Sequence, residues 1–427
     1  MEGNMEKEYT RVAKNGINIH SYRNPHVHSF HISLTVKAGC MYESEDENGI
    51  THFLEHVLYR NVNMLMGGKL YSILDEYNIE LGAATYNEMM QFNVSSSAKN
   101  FKIAAQILSK VLMPITLGAG DFKAELSRIK AEIRESDDRT SLSAFTSGIV
   151  HEGTGLSRTI LGTLGGISRV SRGRLEEYRR RIFTSDNLFV YLTGRYGDDE
   201  LDYLSDLLGE AMLNEGEKHE NNAPVSQKFG KREPKLHIKN ADFTMLRFSF
   251  DMDMSQLNPG EDDLIYDILL GGNNSRFYIE MSEKRGLFYD ISGSVEKYRN
   301  IGTFSFTYEV RVGSVYEAVG LSLSILKEMK TELLSERECM KTQYVDGGEL
   351  LLDDVRELNY TFAYDAHVMC YPYRSVSERA NAYSLITPER LREVANIIFR
   401  PENLSLTMKG NKKKIDSKAI EQMITDF

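Results

Sequence analysis

Two histidines four residues apart, with a glutamate directly before the second, stand in HFLEHVLYRN at residues 52 to 61. At about 100° per residue, His52 and His56 lie roughly 40° apart around a helix, and Glu55 falls about 60° away on the same side. Phe53, Leu54, Val57 and Leu58 take the opposite side, so one face can enter a core while the other is aimed into a cavity. Neutral imidazole nitrogens suit zinc, and a carboxylate beside them could act on a zinc-activated water. The bland alternative is two satisfied core histidines and a surface glutamate.

A catalytic zinc needs a third protein ligand and an open position. DFKAELSRIKAEIRESDDR, from Asp121, has no Gly or Pro and opens on an acidic residue, which predicts a helix. Glu125 and Glu132 are one heptad apart and share a stripe to within about 20°, whereas Glu135 lies on a neighbouring stripe. Spacing alone leaves open whether these are ligands or solvated carboxylates.

The reversed His-x-x-Glu-His order, followed about 75 residues later by a glutamate, resembles the inverzincin motif of the pitrilysin, insulinase and mitochondrial processing peptidase family. VKAGCMYESEDENGITHFLEH is similar to that family's strand, loop and metal helix, and LGAATYNEMMQFNV to the strand after the next helix. The resemblance implies that His52, His56 and Glu132 hold Zn2+, that Glu55 is the general base and that Glu125 is a supporting glutamate. It implies an endopeptidase that binds small or unfolded peptides as an added strand on the edge starting at Ala83, with Ala83, Ala84 and Thr85 against the substrate.

Two positions depart from the family pattern. Gly82 stands where relatives read Asn in Asn-Ala-x-Thr, so an amide near the substrate backbone is missing. In MSEKRGLFYDISG, from Met281, the family's tyrosine is Tyr289, but its arginine position is Ser282, and Arg285 belongs to a neighbouring Lys-Arg-Gly stretch. Serine lacks the charge and reach of an arginine's forked donors. The resemblance to two-chain bacterial relatives therefore implies a heterodimer with a homologous metal-free chain that supplies the arginine and tyrosine. Likeness to a bacteriocin-processing subunit implies a bacteriocin precursor or leader peptide as substrate. The alternative is a weak or silent scaffold subunit.

The elements that must position these residues come from a duplication. RLEEYRRRIFTSDNLFVYLTG from Arg174 and RLREVANIIFRPENLSLTMKG from Arg390 align without gaps, each reading as helix, polar turn and strand. GINIHSYRNPHVHSFHISLTVKAG similarly matches PKLHIKNADFTMLRFSFDMDM, two alternating runs that precede a helix. The fold class expected is α+β, two homologous domains each with an antiparallel-rich sheet packed with helices. By resemblance the two face each other around a chamber. The expected bounds are 1–214 for a zinc-binding domain, 215–234 for a polar linker and 235–427 for a metal-free domain, whose EDDLIYDILLGGNN replaces the metal helix without a histidine.

The net charge of −11 excludes a general nucleic-acid binder. No apolar run approaches a membrane span, and the polar, acidic start lacks a signal-peptide core, which predicts a cytoplasmic protein. Cys40, Cys339 and Cys370 are too scattered for a disulfide framework and read as small buried hydrophobes. His26 and His28 share a predicted strand face but have no third ligand nearby and read as exposed hairpin histidines, GGNN and LGTLGG read as turns, MLMGG as a lid or core filler, and KGNKKKIDSK as a solvated tail or helix start.

Overall fold

A computed structural model describes residues 7–136, 141–214, 218–224, 235–241 and 244–427. Most of the expected linker, 215–217 and 225–234, lies outside the described residues. The first sheet has six strands: β1 (Tyr9–Val12), β2 (Asn18–Arg23), β3 (Ser29–Val36), β4 (Glu80–Thr85), β5 (Met90–Ser97) and β6 (Leu188–Gly194). The second has five: β7 (Lys235–Asn240), β8 (Thr244–Asp253), β9 (Ile291–Lys297), β10 (Ile301–Val310) and β11 (Leu404–Gly410).

Their topologies are the same. The order β2-β6-β3-β5-β4 in one sheet repeats as β7-β11-β8-β10-β9 in the other, with β1 added outside β2. In both, the first neighbours are parallel and every later pair is antiparallel. The helix Arg172–Ile182 and strand β6 recur 216 residues later as Pro388–Ile398 and β11. Even the caps correspond: Ser171 and Thr387 each accept from the backbone N–H three residues on. The expected α+β duplication is present.

The strands divide consecutively, but the helices do not. Compact unit one contains 1–136, 158–221 and 349–377, and unit two contains 137–157, 222–348 and 378–427. The reason lies in the second face of each sheet. Phe30, Ile32, Leu34, Phe92 and Val94 bury one face of the first sheet, leaving Ser33, Tyr191 and Thr193 on the other. The late helix Val355–Phe362 covers these: Asn359 donates to Tyr191 O at 2.9 Å and Ser33 Oγ donates to Asn359 Oδ1 at 2.6 Å. In unit two the early helix Leu142–Val150 is fixed over β11 by a 2.6 Å Thr146–Thr407 hydroxyl contact. A polar face can be buried only where such partners exist, so each sheet takes its cover from the distant half of the chain.

His26 and His28 lie exposed in the turn between β2 and β3, as expected of hairpin histidines. Cys40 and Cys339 are buried and unpaired, whereas Cys370 is exposed, against expectation. No described helix is long and apolar enough to cross a membrane.

Two buried histidines make unit one acid-sensitive. Burial first, then neighbouring His367 and Arg374, hold His20 down to about 3, and burial, then Arg356, holds His31 down to about 4. Both stay neutral in the fold but take a proton below about 6.5 when unfolded, so their contribution is present above that pH and fades as pH falls. Each should cost about 2 kcal/mol at about pH 5. Urea unfolding near neutrality and near pH 5 should show this loss, and His31→Gln should have a shallower pH dependence than wild type; equal slopes would remove His31 from the account.

Candidate functional site

Helix α1 (Ile50–Leu65) carries the His-x-x-Glu-His residues, α2 (Leu70–Tyr77) precedes the edge strand β4, α3 (Phe101–Ser109) follows β5, and α4 (Ala119–Glu135) brings the second set of carboxylates. Phe53, Leu54, Val57 and Leu58 are fully buried, which fixes the rotation of α1 and turns its polar side outward from the core. Gly49 starts the helix at φ 90°, and Glu43 supplies the cap, accepting from Gly49 N and Thr51 N at 2.9 Å each. Burial pushes the Glu43 carboxyl up, against donors from Thr51, Gly49 and Asn48 that pull it down. The LGTLGG turn also presses on this end of α1: a Cβ on Gly162 would come within 2.4 Å of Asn48 O.

Asn61 ties α1 to the chain entering α4. Its amide donates to Pro114 O at 2.9 Å, and its Oδ1 accepts from Thr116 N at 2.8 Å. Phe53 packs on Phe122 with ring centres 5.2 Å apart. The result is a convergence of three donors. His52 Nε2 lies 3.6 Å from Glu132 Oε1, and His56 Nε2 lies 3.6 Å from Glu132 Oε2. All three ligand atoms fall within 4.8 Å of one another.

These distances fit a shared zinc. Ligands about 2.0–2.2 Å from a tetrahedral ion are themselves roughly 3.3–3.6 Å apart. Burial, then His56, holds His52 down to about 4, so it remains a neutral donor. Burial opposes protonation of His56, but Glu125, Glu55 and Glu132 together raise its pKa. Several carboxylates around two imidazoles form a site that a cation would balance. Glu135, one turn on, is exposed and outside the cluster.

Glu125 is buried, and Arg60 donates to its Oε1 at 2.7 Å while also holding Asp121. Its Oε2 faces His56 Nδ1 at 3.6 Å, too long for a hydrogen bond but placed to orient that ring. Of the two histidines that Glu125 could serve, it faces His56. Despite burial, His56 and Arg60 hold the Glu125 carboxyl below its usual range. Glu55 lies beside the cluster; its Oε2 accepts from Thr85 Oγ1 at 2.7 Å, and burial raises its pKa.

The expected edge strand begins at Glu80 rather than Ala83 and, among the described residues, pairs only with β5. Thr85, expected against the substrate, gives its hydroxyl to Glu55. Leu81 and Ala83 point to the core side, whereas Gly82 and Ala84 take the other face. A pocket of about 670 Å³ opens beside Glu55 and His56, lined by Tyr59, Met64, Tyr71, Ala83 and Arg128 among others. Gly67 and Gly68 of the MLMGG stretch line it as well, at φ 65° and 77°.

Tyr289 belongs to unit two and is 99% exposed. Ser282 Oγ is spent on Phe288 O at 3.1 Å, and Arg285 donates to Glu280 O at 2.7 Å, so neither is arranged like a free guanidinium. The metal helix has a counterpart in Glu261–Leu270, which also begins after an αL glycine, Gly260 at φ 89°. Counting from each glycine, His52 and His56 correspond to Asp263 and Asp267. There the Lys297 ammonium lies 2.8 Å from Asp262 and 2.9 Å from Asp263, while Tyr344 donates to Asp267 at 2.6 Å.

A second trio, Glu8, His20 and His367, also gathers three donor atoms. Its imidazoles are stacked at 3.5 Å and 18°, so their in-plane lone pairs run side by side instead of converging. Glu8 Oε2 already takes Tyr191 at 2.8 Å and His367 at 3.0 Å. It is a clasp on the N-terminal segment, not a metal centre.

Residues 18–164 match the family described as insulinase (peptidase family M16), and residues 169–343 match the peptidase M16 inactive domain. The chain belongs to the peptidase M16 family. It is 25% identical to an "uncharacterized zinc protease" of Rickettsia felis, over 76% of this chain and 77% of that one. It is 22% identical to the Bacillus subtilis "uncharacterized zinc protease YmxG", over 92% of this chain and 96% of that one. A Helicobacter pylori protease structure has the same fold, with TM-score 0.80, 16% identity and coverage of 95% of this chain and 100% of the other.

Ligand roles separate by substitution. Glu132→Gln should lower zinc affinity by more than the roughly 100-fold typical of an outer partner, whereas Glu125→Gln should stay within that range and Glu135→Gln should leave it unchanged. Zinc titration against a chromophoric chelator would measure all three; metal loss from Glu135→Gln would overturn the assignment.

Proposed function

We propose that this chain is a zinc-dependent endopeptidase that cleaves small or unfolded peptides, and that it works as the zinc-bearing subunit of a heterodimer. The observation that carries the reading is the convergence of His52, His56 and Glu132 with Glu55 alongside, next to an edge strand with an unpaired side. His52 and His56 through Nε2, and Glu132 through its carboxylate, would hold the zinc. When bound, zinc supplies Lewis-acid activation of a water and of a peptide carbonyl.

The rest falls to the chain's own groups. Thr85 holds Glu55 Oε2, leaving Oε1 to take the proton of the attacking water and pass it to the leaving amine. The raised Glu55 pKa favours that shuttle. Glu125 positions the His56 ring, and Arg60 keeps Glu125 charged. The peptide pairs with β4 through main-chain bonds, with Ala83 and Ala84 small enough to admit its side chains.

Ser282 supports the two-chain form. With its hydroxyl turned to Phe288 and no arginine in that position, Tyr289 lacks its companion, and a homologous metal-free chain would bring the pair. The same feature favours the second reading, a weak or silent scaffold subunit. Likeness to AlbF, the peptidase subunit of subtilosin production, supports a bacteriocin precursor or leader peptide as substrate.

Quenched-peptide cleavage tests the reading. Glu55→Gln should retain zinc and lose turnover by about 100-fold or more. The isolated chain should turn over slowly and accelerate when its homologous metal-free partner is added. Equal turnover by wild type and Glu55→Gln would favour the scaffold, and full activity unaffected by the partner would overturn the shared site.

A further inference from the structure

The amide missing from position 82 has a counterpart on the neighbouring strand. Gly82 on β4 pairs with Asn93 on β5, which pairs in turn with Ser33 on β3, so these side chains share the polar face of the sheet. A Cβ built on Gly82 would meet Asn93 Oδ1 at 2.7 Å and Nδ2 at 3.4 Å. The Asn93 amide therefore lies over the backbone of the edge strand, in the space a side chain at 82 would occupy. Any larger residue there would push it away.

Its neighbours are engaged and it is not. Ser33 is bonded to Asn359, His31 to Ser95 at 2.6 Å, and Gln91 to Thr35 at 3.3 Å. Glu80, at the start of β4, is ion-paired with Arg356. Among the described residues, the Asn93 amide makes no hydrogen bond, and it is only half-buried. It has two donors and an acceptor in a row where other polar groups have found partners. The strand beneath it is an edge strand of the sheet, and Gly82 itself lines the pocket beside Glu55 and His56.

We infer that Asn93 is a substrate-positioning residue: its amide lies over Gly82, one bridging water from an extended peptide paired with β4, and Gly82 is the clearance that places it there. This rests on the peptidase reading above. It also replaces the expectation that no side-chain amide serves this part of the site. The amide is supplied from β5 and held over the strand, about one strand spacing, roughly 4.8 Å, from an added peptide, a gap that a single bridging water spans. An amide can both donate to a peptide carbonyl and accept from an N–H, so the contact depends little on substrate sequence.

Binding separates this proposal from catalysis. In a zinc-loaded Glu55→Gln background, anisotropy of a fluorescein-labelled, unstructured casein peptide would be followed with Asn93→Ala, Gly82→Ala and Gly82→Asn added. Asn93→Ala should weaken binding about five- to tenfold, the worth of one hydrogen bond. Gly82→Ala should do the same by displacing the amide, and the two together should be no worse than either alone. Gly82→Asn combined with Asn93→Ala moves the amide onto β4 and should restore binding to within about twofold, while zinc content and Tm stay at the parent values. No change with Asn93→Ala, or additive losses in the Gly82→Ala double variant, would overturn the assignment while leaving the peptidase reading intact. Failure of the parent to bind the peptide both alone and with its homologous metal-free partner would overturn both.

Discussion

The meeting of α1 and α4 is the constraint on which this protein depends. Two imidazoles from one helix and a carboxylate from another must be held within a few ångströms, and nothing local to either helix can do that. The work is done by an apolar seam around Phe53 and Phe122 and by Asn61, whose amide grips both Pro114 and Thr116. Arg60 then reaches Asp121 and Glu125 on the same helix as Glu132. The Asp121 pair, exposed, is worth little by itself, while the Glu125 carboxylate is buried. Here they fix a register: a slip of one residue between the helices would turn Glu132 away from both rings.

The same scaffold without this constraint is visible in the second half. Gly260 opens the equivalent helix as Gly49 opens α1, and the strand order is repeated pair for pair. Yet the corresponding positions hold carboxylates, and Lys297 brings its ammonium among them. A buried carboxylate needs a countercharge from somewhere. In the first half the donor set leaves room for a metal ion; in the second a lysine from β9 neutralises the acids. Duplication conserved the fold while the chemistry diverged at a few side chains, in keeping with function residing in a site and not in the architecture that carries it.

The edge strand shows how closely binding and catalysis are joined. Thr85 ends β4 and holds the proposed base, while Gly82, three residues earlier, lies under the Asn93 amide. Alternation along the strand sends these two contacts to opposite faces. A peptide docked on the free edge would thus lie along the strand that also sets the position of Glu55.

Much of this was legible from the residues alone because it is encoded within short spans. The 3.6-residue period places His52, Glu55 and His56 on one side of α1 and distinguishes Glu132 from Glu135 on α4; repeated segments reveal the duplicated strands. Other features depend on packing between distant parts of the chain. Which histidine faces Glu125, how Glu43 caps α1 and how Asn61 joins two helices follow from the angle and register at which elements meet. The exchange of Leu142–Val150 and Val355–Phe362 between the halves is of the same kind, since either helix reads as an ordinary amphipathic segment until the sheet face it covers is known. Asn93 makes the difference plain: in sequence it is a polar residue in an alternating strand, and only pairing with a glycine 11 positions away lays its amide over the edge. Periodicity determines which side chains share a face; only tertiary structure decides what that face meets.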